Sequence, residues 1–208
     1  MKLNSFSYNN QQHLMVLLIA LLSLIAFLAE QFFGENITNT ITYQRELIIA
    51  GEKWRFLTGH FLHTNGYHLL LNLAALFMLL ALHGRFYTIA NYSALFCFCA
   101  LFTSVGIYYT EPSLIQYVGL SGVLHGVFIF GAIMDIKAKD KTGYLLFIGV
   151  WLKIAHEQFY GASNSVSDLI EASVAVNAHL WGAIGGLIFT LLYLTIPHLK
   201  VTRTKKAL

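Results

Sequence analysis

The residues best suited to chemistry are polar groups set in long apolar runs. Ser121 and His125 stand in Gly119-Leu120-Ser121-Gly122-Val123-Leu124-His125-Gly126, His68 and Asn72 open a second run, and His179 follows Ala178 in a third. A serine hydroxyl within reach of an imidazole makes a nucleophile and its base, the pair that supports acyl transfer. Ser121 is the candidate nucleophile. His179 is the candidate base, taking the serine proton and later returning one to a leaving amine. The tetrahedral oxyanion needs donors, and three are at hand: the Ser121 backbone N–H, the Asn72 amide and a His68 ring N–H. The sequence offers no buried Asp or Glu well placed to orient His179, so the expectation is a dyad without a third member.

The elements that must position these residues are membrane helices. The chain has 208 residues, 57% hydrophobic and 11% charged, with a mean hydropathy of +0.63; a soluble domain carries about a quarter charged residues. Six apolar stretches, roughly 14–33, 67–84, 88–109, 117–136, 143–160 and 173–197, each have about the length that crosses a hydrocarbon core. The fold expected is all-α and polytopic, a single domain over 1–208 with a bundle of six transmembrane helices. A long loop, 34–66, joins the first two helices, and its Trp54, Phe56 and Phe61 suit the membrane interface. The first stretch reads as a retained helix, since its leader has one lysine and no A-x-A site precedes Glu30-Gln31. Cys97 and Cys99 would point to different helix faces, which disfavours a mutual disulfide. A net charge of +3 without a basic patch excludes nucleic acid as a partner.

Charge sets the orientation. Lys2, Arg85, Lys137, Lys139, Lys141, Lys200, Arg203, Lys205 and Lys206 fall on one side, and Arg45, Lys53 and Arg55 on the other. The positive-inside rule then places both termini in the cytoplasm. His68 and Asn72, Ser121 and His125, and His179 all lie near the outer ends of their helices, at similar depth. Ionisable groups in membrane helices are costly and usually functional.

Spacing adds geometry. His68 and Asn72 are four residues apart and share a helix face, as do Ser121 and His125. Gly122 with Gly126, and Ala178 with Gly182 and Gly186, form small-residue stripes that let two helices approach closely in lipid. Such an approach is what brings a serine and a histidine on different helices within hydrogen-bond distance. Lys153 and Glu157 are also four apart, the spacing of a structural ion pair.

Here four motifs align in order. Gly119-x-Ser121-Gly122 resembles the rhomboid nucleophile motif, and Ala178-His179-x-x-Gly182-x-x-x-Gly186 resembles the rhomboid histidine helix. His68-x-x-x-Asn72 resembles the second-helix motif, and Trp54-Arg55 the pair in the first loop. The resemblance implies an intramembrane serine protease that needs no cofactor and no metal. Most rhomboids carry Tyr four residues after the nucleophile, where this chain has His125. That variant resembles the rhombosortase branch, as does the segment around Lys153, Glu157 and Gln158. The branch implies a bacterial inner-membrane enzyme with its active site toward the periplasm. Its substrates would be membrane-anchored proteins whose C-terminal signal has a Gly-Gly pair, a transmembrane helix and a basic tail. His125 would buttress His179, while Glu157 and Gln158 would border the substrate glycines. Whether the acyl group passes to water or to an amine nucleophile stays open, as do the roles of His60 and His63.

Two other classes compete. Nine histidines suit a membrane metal- or haem-binding protein, since imidazole is a common ligand; His156-Glu157 even begins like a zinc-protease helix, but Tyr160 stands where the second histidine belongs. A catalytically inactive rhomboid-like binding protein is the other, opposed by the intact Ser121 and His179.

Overall fold

The structure, a computed structural model, describes residues 11–196. The expected end of the last helix at residue 197, and the basic residues Lys2, Lys200, Arg203, Lys205 and Lys206, lie outside the described residues. Numbering in chain order, six long helices form the bundle: α1 (Gln11–Phe33), α5 (Gly66–His83), α6 (Ile89–Thr110), α7 (Ser121–Lys137), α8 (Thr142–Tyr160) and α10 (Val176–Thr195). Four short helices lie in the connections: α2 (Glu35–Ile41), α3 (Arg45–Ile49), α4 (Arg55–Thr58) and α9 (Asn164–Ile170).

Four helical segments, His13–Phe33, Gly66–Phe86, Ile89–Thr110 and Val176–Thr195, are long and apolar enough to cross a membrane on their own. The other two long helices are α7 and α8. The first is only 17 residues, about 25 Å at 1.5 Å per residue, and the second carries Lys153 and Glu157. Helix α7 is the centre of the bundle, packed by α5, α6, α8 and α10. Val123, Leu124, Val127, Ile129 and Phe130 on α7 are all buried. Around it, Leu17, Leu70, Leu145 and Leu191 on four other helices are exposed, as expected of faces that meet lipid rather than water.

Two helix starts are capped locally. Asn65 Oδ1 accepts the His68 backbone N–H at 2.9 Å, and Thr88 with Asn91 forms a reciprocal capping box before α6. The fourth long helix begins at Ser121, four residues later than the apolar run suggests. The reason is tertiary: β2 (Gln116–Tyr117) pairs antiparallel with β1 (Tyr43–Gln44), and Gly119 turns the chain at φ +113°. Pairing of a loop with a stretch of apparent helix has no local signature.

The long loop is fastened rather than loose. Arg55 is buried, and its guanidinium donates to Glu52 at 2.6 Å, to the Thr42 carbonyl at 2.8 Å and to the Asn39 carbonyl at 2.5 Å. Trp54 stays half-exposed and donates to the Thr40 carbonyl. At the opposite end of the bundle, Arg85 reaches Asp135 at 2.5 Å and Asp140 at 3.1 Å, tying the end of α5 to the end of α7.

Candidate active site

Ser121 is the first residue of α7 and His179 lies in the first turn of α10. Their separation follows from how those helices touch. A Cβ on Gly182 would overlap the Gly122 carbonyl oxygen, and one on Gly186 would overlap Gly126. With hydrogens alone on that stripe, the two backbones meet, and Ser121 Oγ comes to 3.0 Å from His179 Nε2. That is hydrogen-bond distance.

The other ring nitrogen of His179 has a partner the sequence reading did not supply. Glu157 Oε2 on α8 lies 2.9 Å from Nδ1, and both residues are buried. The expectation that no carboxylate reaches His179 is therefore corrected. The signal was present but faint: Val150, Ile154 and Glu157 are the buried positions along the second half of α8, one i, i+4, i+7 stripe. The stripe says that Glu157 faces inward, not that α10 presents His179 opposite it. Gln158 is placed elsewhere: it donates to the Val176 carbonyl at 3.3 Å, on the exposed side. The expected Glu157-Gln158 unit is split because adjacent residues on a helix point about 100° apart.

Lys153, one turn before Glu157, joins the cluster. Its Nζ lies 2.9 Å from Glu157 Oε1, 2.8 Å from His125 Nε2 and 3.4 Å from His179 Nδ1. His125 Nδ1 is 2.7 Å from the Ser121 carbonyl oxygen, which only accepts, so this nitrogen carries the proton. The His125 ring stacks on His179 with centroids 4.2 Å apart and planes 20° off parallel. His125, Glu157 and His179 also offer three ligand atoms within 4.8 Å of one another, the arrangement a metal ion would use. The Lys153 ammonium, however, contacts all three residues. A metal ion would have to displace a covalently attached cation.

Across from this cluster stand His68 and Asn72 on α5. A Cβ on Gly119 would come within 2.7 Å of His68 Nε2 and 3.9 Å of Asn72 Nδ2, so a side chain there would block both. The left-handed φ of Gly119 and this approach both demand glycine. His68 Nδ1 lies 3.3 Å from the Thr64 backbone N–H and 3.1 Å from Thr64 Oγ1, and its Nε2 faces Gly119. Asn72 donates one amide hydrogen to the His68 carbonyl at 3.0 Å and keeps a second. These residues, with Ser121, His125, Lys153 and His179, line a cavity of about 840 Å³ that continues between α5 and α8 past Ala75, Met78, Phe128 and Val150. Its deeper wall is apolar.

His60 and His63 support the site from the loop. His60 is buried, with Nδ1 3.3 Å from the Gly119 carbonyl and Nε2 2.9 Å from Ser104 Oγ; burial lowers its pKa. It pegs the turn before Ser121 to α6. His63 is buried edge-on against His68 with centroids 5.0 Å apart. Burial, reinforced by repulsion from His68, lowers its pKa to about 3. Nothing in the spacing of these two residues distinguishes them from surface histidines.

A family model described as the rhomboid domain matches residues 50–196. The chain is 26% identical over 156 residues to the putative rhomboid protease YdcA of Bacillus subtilis (strain 168), covering 74% of each. It is 29% identical over 183 residues to the rhomboid protease AarA of Providencia stuartii, covering 80% of this chain and 62% of that one. The matched span contains every residue of the Ser121, His179, Glu157, His68 and Asn72 constellation, and the chain belongs to the rhomboid family.

Proposed function

We propose that this chain is an intramembrane serine endopeptidase in which Ser121 is the nucleophile and His179 its general base. The observation that carries the reading is the 3.0 Å separation of Ser121 Oγ and His179 Nε2 across two helices, at the wall of a cavity. Ser121 Oγ attacks the scissile carbonyl while its proton passes to His179 Nε2, giving a tetrahedral intermediate. The oxyanion is met by His68 Nε2–H, the second Asn72 N–H and the Ser121 backbone N–H, three preorganised donors. His179 then protonates the leaving amine and the C–N bond breaks, leaving an acyl-enzyme. A second nucleophile, water or an amine, loses its proton to His179, attacks the ester and regenerates Ser121.

The finer reading is a rhombosortase acting on membrane-anchored proteins with a C-terminal Gly-Gly, a transmembrane helix and a basic tail. His125, in the place of the usual Tyr, supports it: its ring is stacked on His179 and lines the cavity beside Ser121. The enzyme would sit in a bacterial inner membrane, with cytoplasmic termini and its cavity toward the periplasm. The test uses purified protein with paired membrane-anchored substrates, Gly-Gly or Ala-Ala at the cut site. Ser121→Ala and His179→Ala each abolish cleavage, and the double variant is no worse, because the residues act as one unit. The wild type prefers Gly-Gly. Cleavage by Ser121→Ala would end the serine-protease reading and leave a metal-dependent or binding role, whereas equal cleavage of both substrates would remove only the rhombosortase assignment.

A further inference from the structure

Five hydrogen bonds form a closed ring that leaves Ser121 by its side chain and returns to it by its backbone. Ser121 Oγ meets His179 Nε2 at 3.0 Å, and His179 Nδ1 meets Glu157 Oε2 at 2.9 Å. Lys153 Nζ donates to Glu157 Oε1 at 2.9 Å and to His125 Nε2 at 2.8 Å, and His125 Nδ1–H donates to the Ser121 carbonyl at 2.7 Å. The donor and acceptor roles in this ring follow from three fixed points: a backbone carbonyl can only accept, an ammonium can only donate, and an ionised carboxylate can only accept, with Glu157 Oε2 nearer to His179 Nδ1, at 2.9 Å, than Lys153 Nζ is, at 3.4 Å. His125 must then be the Nδ1–H tautomer. Glu157 receives the ammonium on one oxygen and presents the other to His179, so His179 also carries its proton on Nδ1. Its Nε2 lone pair is left facing Ser121.

Resting on the serine-protease reading above, we infer that Glu157 is the positioning residue of a Ser121–His179–Glu157 triad, and that Lys153 sets the polarity of the whole ring. The carboxylate holds His179 in the one tautomer that can accept the serine proton, and it faces the imidazolium that forms when the proton arrives. Lys153 has a second effect, because its Nζ is also only 3.4 Å from His179 Nδ1. Without a carboxylate between them, the ammonium would donate to Nδ1 and drive the proton to Nε2. His179 would then point a hydrogen at Ser121 and could not act as a base. Glu157 insulates the base from Lys153 as well as orienting it. The sequence expectation that Glu157 borders substrate glycines gives a different outcome in the same test.

Glu157→Gln keeps the shape and changes the polarity. The ammonium draws the amide oxygen, so the amide N–H₂ faces His179 Nδ1 and enforces the wrong tautomer. A wrong-tautomer histidine in a serine protease costs about 10⁴-fold in kcat. The expected result is a loss of about a hundredfold or more in kcat with KM within about twofold. The rate of Ser121 labelling by a fluorophosphonate, measured without substrate, should fall in parallel. Adding Lys153→Met to Glu157→Gln removes the ammonium, frees the amide to turn its oxygen to Nδ1–H, and restores both rates by about tenfold or more. Glu157→Asp retains partial activity. The unfolding temperature of each variant in detergent, kept near that of the wild type, shows that the bundle is intact. Normal fluorophosphonate labelling of Glu157→Gln, or a double variant no faster than the single, overturns the inference and returns Glu157 to substrate contact or simple packing. Ser121→Ala is run beside them: if it still cleaves, the serine-protease reading itself fails, whereas an inactive Ser121→Ala with an active Glu157→Gln removes only the triad.

Discussion

Ser121 opens α7, and the N–H groups of a first helical turn have no intrahelical acceptor. That places one orphan donor beside the hydroxyl proposed as nucleophile, with His68 Nε2 and Asn72 Nδ2 facing the turn at Gly119 two residues earlier. Losing one oxyanion donor typically costs about 3 kcal/mol of barrier. His68→Ala and Asn72→Ala should each lower kcat by roughly 10²- to 10³-fold with the fold intact. Steady-state kinetics on both variants decides this, and unchanged kcat in both would move the oxyanion to another wall. His63 invites a measurement of a different kind. Neither of its ring nitrogens has a hydrogen-bond partner among the described residues, and burial lowers its pKa from 6.5 to about 3. The unfolded chain therefore takes up the proton first as pH falls. Stability is fully present above about 6.5 and drains as pH drops toward about 3. His63→Leu removes that group, so its unfolding temperature should fall less between pH 7 and pH 4.5. Identical acid sensitivity of wild type and His63→Leu would assign the effect to other groups.

At the scale of elements, the decisive contact is α7 against α10. Gly122, Gly126, Gly182 and Gly186 bring backbone onto backbone, and any Cβ at Gly186 would run into the Gly126 main chain. Gly186→Val touches no reacting group, yet it must push the helices apart and with them Ser121 from His179. A misplacement of about 1 Å can cost about a hundredfold in rate. Cleavage assays on Gly182→Val and Gly186→Val should both show that loss, and full activity in a stably inserted Gly186→Val protein would place the seam elsewhere. The third wall depends on α8, whose Val150, Ile154 and Glu157 face inward while Lys153 reaches across from a more exposed position. Helix α8 can carry two charges there because each is partnered, which is the condition for tolerating ionisable groups at membrane depth.

For the whole molecule, four long helices, α5, α6, α8 and α10, pack around α7, and the site and the Arg85–Asp135 cluster lie toward opposite ends. The uneven distribution of lysine and arginine predicts which end faces which compartment. With Cys97 and Cys99 replaced, single cysteines at Lys53 and Lys139 should label with a membrane-impermeant thiol reagent from opposite sides, Lys53→Cys from the periplasmic side of intact cells. Labelling of both from one side would overturn the orientation.

Which residues are candidates for chemistry, and on which helices they stand, was legible from the sequence. Those are local properties: apolar run length, i, i+4 spacing, and the short motifs around Ser121, His179, His68 and Trp54. Helix ends came within a few residues for the same reason, except where β2 took the first turn expected of α7. What faces what depends on how the helices are turned against one another. The rotation of α8 about its own axis brings Glu157 to His179 and leaves Gln158 outside, and folding of the loop buries His60 against the turn that presents Ser121. Neither is encoded in spacing along one helix, because rotation and register between helices are set by side chains that meet across the bundle, far apart in the chain.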